Sequence, residues 1–225
     1  MSSEKDSVPR LSGAVEIRET EPEIHLISGG GTSLDSFVLI SAAVHPFVDY
    51  IHLREKSCTA NELYHAVREM CRLGVPPGQI VVNDRLDVAL ASGAAGVQLA
   101  GHSLPAAAVR PLAPGLRIGR SVHSPDEAAA AAAEGADYCL YGHIYASASK
   151  PGLPGRGLDR LAETVRACPV PVIAIGGIEP DNAGQVISRG AAGIAVLSGI
   201  CGASDPVAAA MSYRSAVRAA RYERR

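Results

Sequence analysis

The sequence predicts a single (β/α)8 TIM barrel behind a polar amino-terminal extension. Three observations carry that expectation. From Glu23 onward, eight short apolar runs alternate with helical patterns; such alternation implies parallel strands with right-handed crossovers, and eight units close a barrel. A weak internal repeat, SGAAGVQLAG, EGADYCLYGH and RGAAGIAVLSG, reads each time as helix stop, small residue, buried strand and glycine at the strand end. Glycines therefore recur where the functional loops of a barrel emerge. A doubly wound open sheet is the rival architecture, and the strand count and glycine placement favour the barrel.

Residues 1–22 are polar, contain Pro9 and Pro22, and show no sustained period. They are expected to form a loosely ordered extension, which leaves 23–225 as the barrel domain. The candidate strands, in order, are EIHLIS, VDYIHLRE, QIVVN, AGVQLA, LRIGRSV, DYCLYG, VPVIAIGG and AGIAVLSG. All are short and rich in residues that suit strands buried on both faces. Between the second and third lies TANELYHAVREMCRLG, where Leu63, Val67, Met70 and Cys71 share one helical face. Thr59 and Glu62 make a capping box at its start, and Gly74 suits the left-handed position past its end. The segment SPDEAAAAAAEG repeats that grammar, with Ser124 as N-cap, Pro125 at the first helical position, Glu127 closing the box and Gly135 terminating.

Composition narrows the function. The hydrophobic share of 47% over 225 residues is that of one globular domain with a real core. With 21 Lys and Arg against 23 Asp and Glu, 4% aromatics and no Trp, neither a basic face nor a base-stacking platform is evident, so nucleic acid is not an expected partner. The start MSSEKDSVPR lacks the charged-then-apolar order of a secretory signal, and no run reaches membrane-spanning length. Five Cys (Cys58, Cys71, Cys139, Cys168, Cys201), widely spaced and never CxxC, argue against a disulfide framework or zinc site and suit a cytoplasmic setting.

The candidate site follows from the barrel. Its active site forms at the carboxyl ends of the strands, and phosphate commonly binds after strands seven and eight. Gly176-Gly177 follows strand seven and Ser198-Gly199 follows strand eight, so their backbone amides are candidates for a phosphate cup. Tight turns are the plain alternative for either pair alone. Alternation along LRIGRSVHS puts Gly119, Ser121 and His123 on one side, which makes His123 the best general-base candidate. A structural role is the plain alternative for that lone histidine, and Arg120 has no assigned role.

In IHLREK, alternation points His52, Arg54 and Lys56 one way, a cluster that calls for water or an anionic ligand. Asn83 and Asp84 end strand three, with Asp84 equally suited to capping the next helix. After strand six, GHIYASASKPGLPGRGL carries His143 and is long enough for a lid in which Ser147, Ser149 and Lys150 bind an anion; an ordinary surface loop is the alternative.

Taken together, IHLREK, NDRLDVAL, IGRSVHS, the loop after strand six, IAIGGI and GIAVLSGI resemble the thiamin phosphate synthase/TenI superfamily over nearly the whole chain after the extension. The resemblance to the synthases lies in Arg54, Lys56, Asn83, Asp84 and Lys150, used there around pyrophosphate and magnesium. The synthase pattern has a second Asp where this chain has Ser103, Gly-Pro where it has Gly142-His143, and Thr-x-Thr-Lys where it has Ser147-Ala148-Ser149-Lys150. GRSVHS, the Gly-His, GLxGRG, GIxVxSGI and the closing RYE look closer to TenI, the thiazole tautomerase.

That resemblance implies an isomerase that converts a carboxylated thiazole phosphate tautomer to the aromatic form. His123 would move the proton, Arg54 would pair with the carboxylate, and Gly177, Ser198 and Gly199 would hold the phosphate, with no metal or cofactor. A homodimer is implied by the family alone. Two alternatives stand beside it: a magnesium-dependent thiamin phosphate synthase, and a non-catalytic sensor of a thiamin-pathway phosphate.

Overall fold

A computed structural model of the protein describes residues 21–29, 31–147 and 152–223, and of most of the extension nothing is described. The strands are β1 (Glu23–Ile27), β2 (Tyr50–Leu53), β3 (Ile80–Asn83), β4 (Gly96–Leu99), β5 (Arg117–Val122), β6 (Tyr138–Gly142), β7 (Val172–Ile175) and β8 (Gly193–Val196). Between them run α1 (Leu34–Val44), α2 (Ala60–Arg72), α3 (Leu86–Ser92), α4 (Ala106–Val109), α5 (Pro125–Ala133), α6 (Gly157–Ala167) and α7 (Pro180–Ser188); α8 (Ser198–Cys201) and α9 (Pro206–Glu223) follow the last strand. The strands form a closed barrel in chain order, every neighbour parallel, and Glu23 opposite Gly193 closes the ring. The chain is thus the expected (β/α)8 barrel.

Alternation divides the core in two. Ile24, Leu26, Ile51, Leu53, Ile80 and Val82 belong to the outer core, packed under helices with Leu63, Val67 and Met70 of α2. The complementary positions face the barrel axis, where Ile27, Tyr138, Leu140, Ile173 and Ala195 make a separate small cluster. A ring this narrow needs missing side chains. A Cβ on Gly119 would lie 2.2 Å from Gln98 Oε1 and 2.3 Å from the Tyr138 ring, so that glycine is what lets Tyr138 fill the interior.

The local signals in the sequence are realised with one change. The Thr59–Glu62 capping box forms in both directions, and the repeat's helix stops, Gly93, Gly135 and Gly190, all have positive φ of 72°, 94° and 101°. Ser124 caps α5, accepting from the Glu127 amide. The Glu127 carboxylate, however, takes the His123 backbone N–H at 2.8 Å in place of the cap residue's own amide.

Candidate functional site

Strand ends set the rim, and β2 ends earlier than its apolar run suggests. The strand stops at Leu53, so of His52, Arg54 and Lys56 only the first lies on it. His52 lies wholly buried inside the barrel, whereas Arg54 is half-buried at the rim and Lys56 is exposed. Arg54 is fixed through its backbone, whose N–H donates to Ser28 Oγ at 2.7 Å. A Cβ on Gly29 would lie 3.7 Å from Arg54 Nη1, so the guanidinium sits over the end of β1. Among the described residues no carboxylate is within ion-pairing distance of it.

Asp84 follows β3 in the left-handed region, φ 62°, and does not cap α3, whose N-cap is Arg85. Its Oδ1 instead accepts from the Ser103 hydroxyl and, at 3.4 Å, from the Ala100 N–H. Its Oδ2 lies 3.4 Å from His102 Nε2. The loop after β4 therefore wraps the carboxylate and pins it at the mouth. Deeper in, Gln98 Nε2 donates to Ser121 Oγ at 3.0 Å, which confirms Ser121 on the interior side of β5.

His123 lies just past β5 with a side chain 42% exposed, and its Nδ1 is 3.4 Å from Glu127 Oε2. It lines a groove of about 370 Å³ with Arg120, Val122, Ala130, Ala131 and Glu134, where β5 meets α5. Arg120 ties the loop after β4 to that groove by donating to Ala100 O at 2.8 Å.

The loops after β6 and β7 are built around each other. Ile144 and Tyr145 N–H donate to Ile175 O and Gly176 O at 2.9 and 3.0 Å, which continues the β6–β7 pairing beyond the strands. Arg156 Nε closes the far end on Gly142 O at 2.9 Å, and His143 is buried beneath the loop. A Cβ on Gly176 would lie 2.4 Å from His143 Cβ, and one on Gly177 2.6 Å from Ala146 O. This glycine pair is required by the neighbouring loop, the plain structural explanation, whatever else its amides bind. Gly199 likewise makes room for Tyr213, whose hydroxyl would lie 2.1 Å from its Cβ and which donates to Ile178 O at 3.0 Å. Ser198 opens α8, so the first amides after β8 lack helical acceptors. Ser149 and Lys150 lie outside the described residues.

The interior holds what the sequence reading missed: a polar column. Arg117 Nη2 reaches Glu23 Oε2 at 2.9 Å and stacks over Tyr50 and Tyr138, 4.1 and 4.6 Å from their centroids. Glu23 Oε2 is also 2.9 Å from His25 Nε2, and His25 Nδ1 is 2.8 Å from His52 Nε2. Burial opposes the Glu23 charge, but the hydrogen bonds from His25 and Arg117 outweigh it and hold the carboxyl below its ordinary range. Burial pushes His25 down, and burial and then the neighbouring His25 push His52 well down. The available signal was positional: His25 and His52 both fall on interior positions of buried strands, where lone polar groups need partners.

The carboxyl end of this closed (β/α)8 barrel gathers a fixed carboxylate, an arginine with no acidic partner among the described residues and glycine-shaped loops, at the end where such barrels place their phosphate sites. The comparisons with known proteins give the family. A family model described as Thiamine monophosphate synthase matches residues 24–200, and the chain belongs to that family. It is 42% identical over 203 residues to a "Thiamine-phosphate synthase" of Anaeromyxobacter dehalogenans, covering 89% of this chain and 90% of that one. It is 43% identical over 180 residues to another of Methanoculleus marisnigri, covering 79% and 85%. Among solved structures, thiamine phosphate pyrophosphorylase from Pyrococcus furiosus superposes with a TM-score of 0.78 at 32% identity, covering 90% of this chain and 98% of that one.

These likenesses overturn the tautomerase expectation. The named relatives at this level of identity are synthases, so the assignment to the TenI branch, and with it the isomerase class, is withdrawn. The physical reason lies in scale: the features that favoured TenI are a few loop residues, whereas the likeness to synthases runs through the whole barrel. Ser103 in place of an acid is also a smaller change than it looked, because its hydroxyl holds the remaining carboxylate of Asp84 in place.

Proposed function

We propose that the protein is a thiamine-phosphate synthase, joining a pyrimidine methyl pyrophosphate to a thiazole phosphate with release of pyrophosphate. The observation that carries this reading is Asp84, pinned by Ser103 and Ala100 at the rim, in a mouth that also holds the half-buried Arg54. In the condensation the thiazole nitrogen supplies an electron pair to the pyrimidine's methylene carbon, and the carbon–oxygen bond breaks with its electrons leaving on pyrophosphate. The barrier lies in that accumulating negative charge, so cations fixed beforehand are the effective catalyst.

Arg54 and Lys56 after β2 and the Asn83 amide after β3 would bind the pyrophosphate. Ser149 and Lys150 are assigned to the same task on the sequence pattern alone. Gly176, Gly177, Ser198 and Gly199 would offer backbone amides to the thiazole phosphate and set the angle of approach. The donor set at Asp84 fits magnesium, which takes one or two carboxylates together with substrate oxygens and water. Asp84 would hold it, and the ion when bound would neutralise charge on the pyrophosphate. His123 stays a rim residue, without the proton-transfer role that belonged to the tautomerase reading. No helix among the described residues is long and apolar enough to cross a membrane, and a cytoplasmic setting suits the five free cysteines.

The test is direct: purified protein is incubated with the pyrimidine pyrophosphate, thiazole phosphate and magnesium, and thiamine phosphate and pyrophosphate are quantified. Stoichiometric formation of both supports the reading, and failure to form thiamine phosphate sinks it.

A further inference from the structure

The polar column inside the barrel has a direction, set by hydrogen-bond chemistry. The Glu23 carboxylate only accepts, so the proton on the 2.9 Å contact belongs to His25 Nε2. A neutral His25 then has a bare Nδ1, and the 2.8 Å contact with His52 Nε2 is donated by His52. This leaves His52 Nδ1 bare as well. That atom is buried with no hydrogen-bond partner, and so is Asn83 Oδ1. Asn83 is nonetheless close enough to His52 to favour its charged form. In the neutral column, two acceptors are thus left over at the point where the interior meets the mouth.

We propose that His25 and His52 form a proton-loadable relay that positions Asn83, and that binding of pyrophosphate at the mouth is accompanied by uptake of one proton into it. The proposal rests on the synthase reading for its ligand. A proton added at His52 Nδ1 releases the one on Nε2 to His25 Nδ1, so the charge settles on His25 beside Glu23. His52 Nδ1–H then donates to Asn83 Oδ1, and the Asn83 NH2 group turns toward the mouth as a donor for an anion. Without the proton, the two leftover acceptors could be reconciled only by an Asn83 amide turned NH2 inward, which would present its oxygen to the mouth and repel an anion. His52 is on this account a positioning residue that acts through Asn83.

The surrounding charges explain why the proton would arrive with the ligand. Burial, and then Arg117 from β5, oppose charge on the pair, whereas Glu23 from β1 and Asp49 ahead of β2 favour it; Tyr50 and Tyr138 pack their rings against His25. In the free protein burial prevails and keeps the pair neutral, and an anion at the mouth adds to the side that favours charge. By linkage, a ligand that raises a group's proton affinity binds with proton uptake and binds more weakly as pH rises.

The experiment is calorimetric titration of full-length protein with inorganic pyrophosphate in two buffers of different ionisation enthalpy, for wild type and His52→Gln. Glutamine keeps an amide within reach but takes no proton, and the ligand's own protonation is common to both. Wild type is expected to take up more protons than the variant, by as much as one per pyrophosphate. Its affinity should fall more steeply with rising pH than the variant's, by up to about a further tenfold per pH unit across the linked window. Nitrogen NMR of the wild-type imidazoles supplies a readout that needs no variant: both rings Nε2–H when free, with His52 converting to Nδ1–H when pyrophosphate is bound. Equal proton counts with unchanged tautomers overturn the relay and leave the synthase reading standing. Absence of pyrophosphate binding overturns the synthase reading and the linkage with it.

Discussion

Arg117 and Glu23, 94 positions apart, meet across the barrel interior with Nη2 3.1 and 2.9 Å from the two carboxylate oxygens. The pair joins β5 to β1, strands on opposite sides of the ring, and neither side chain is more than 28% exposed. Removing one partner leaves a buried charge uncompensated, which costs about 3–5 kcal/mol. Arg117→Met is therefore expected to lower the melting temperature by roughly 10 °C for a domain of this size. Glu23→Gln combined with Arg117→Met should recover part of that loss, and a purely additive double variant would argue against the coupling.

Stability should fall on mild acidification. His25 and His52 are held below their ordinary range by burial, whereas an unfolded chain's histidines titrate near ~6.5. Below that value the unfolded state binds more protons than the folded one, so stability present above it is lost as pH falls toward the folded values. The depressed Glu23 adds a second loss at lower pH, as the medium approaches its folded value. Denaturant midpoints measured across the acid range should show the first slope in wild type and a shallower one in His52→Gln; a flat profile would exclude a neutral buried pair.

Asp84 should control the metal requirement. Losing the carboxylate in Asp84→Asn is expected to lower turnover by about a hundredfold or more, since metal charge stabilisation is worth several kcal/mol and each 1.4 is tenfold. Ser103→Asp, which adds a second carboxylate beside the first, should lower the magnesium concentration needed for half-maximal rate. Chelation should abolish the wild-type reaction and magnesium restore it, all followed by pyrophosphate release.

Arg54→Ala should weaken the pyrophosphate substrate selectively. Hydrogen bonds to charged groups contribute about 1.5–3 kcal/mol, so kcat/KM is expected to drop roughly 10- to 150-fold. The KM for thiazole phosphate should change little, and equal losses for both substrates would place Arg54 elsewhere in the mechanism.

Gly177→Ala tests whether the loops after β6 and β7 require each other. The added Cβ would lie 2.6 Å from Ala146 O and 2.8 Å from Tyr145 Cβ at φ 63°, so a loss of about 1–3 kcal/mol is expected. Thermal unfolding measures it, and an unchanged melting temperature would show that the loops are free to separate.

Much of this was legible in the linear pattern. Each strand was found because apolar runs of that length leave no other way to hide a backbone, and Thr59–Glu62 and Gly135 announce helix ends through contacts only a few residues apart. The errors arose where a local rule was carried past its element. The alternation from His52 to Lys56 runs past β2, which stops at Leu53, and the Glu127 carboxylate takes the amide of His123 and not that of the N-cap Ser124. Choosing a branch from Ser103 and Gly142-His143 gave a few loop residues more weight than the barrel they decorate.

The order of the strands, the helix caps and the set of loops that form the mouth were determined by the sequence alone, because each depends on neighbours in the chain or on a strict period. The column from Arg117 through Glu23 and His25 to His52, and the clasp of Ser103 on Asp84, were decided only when the barrel closed. Ring closure brings distant strands within hydrogen-bond reach and removes the water that would otherwise have satisfied these groups separately. Which of the four carries a proton is then a property of the enclosed column.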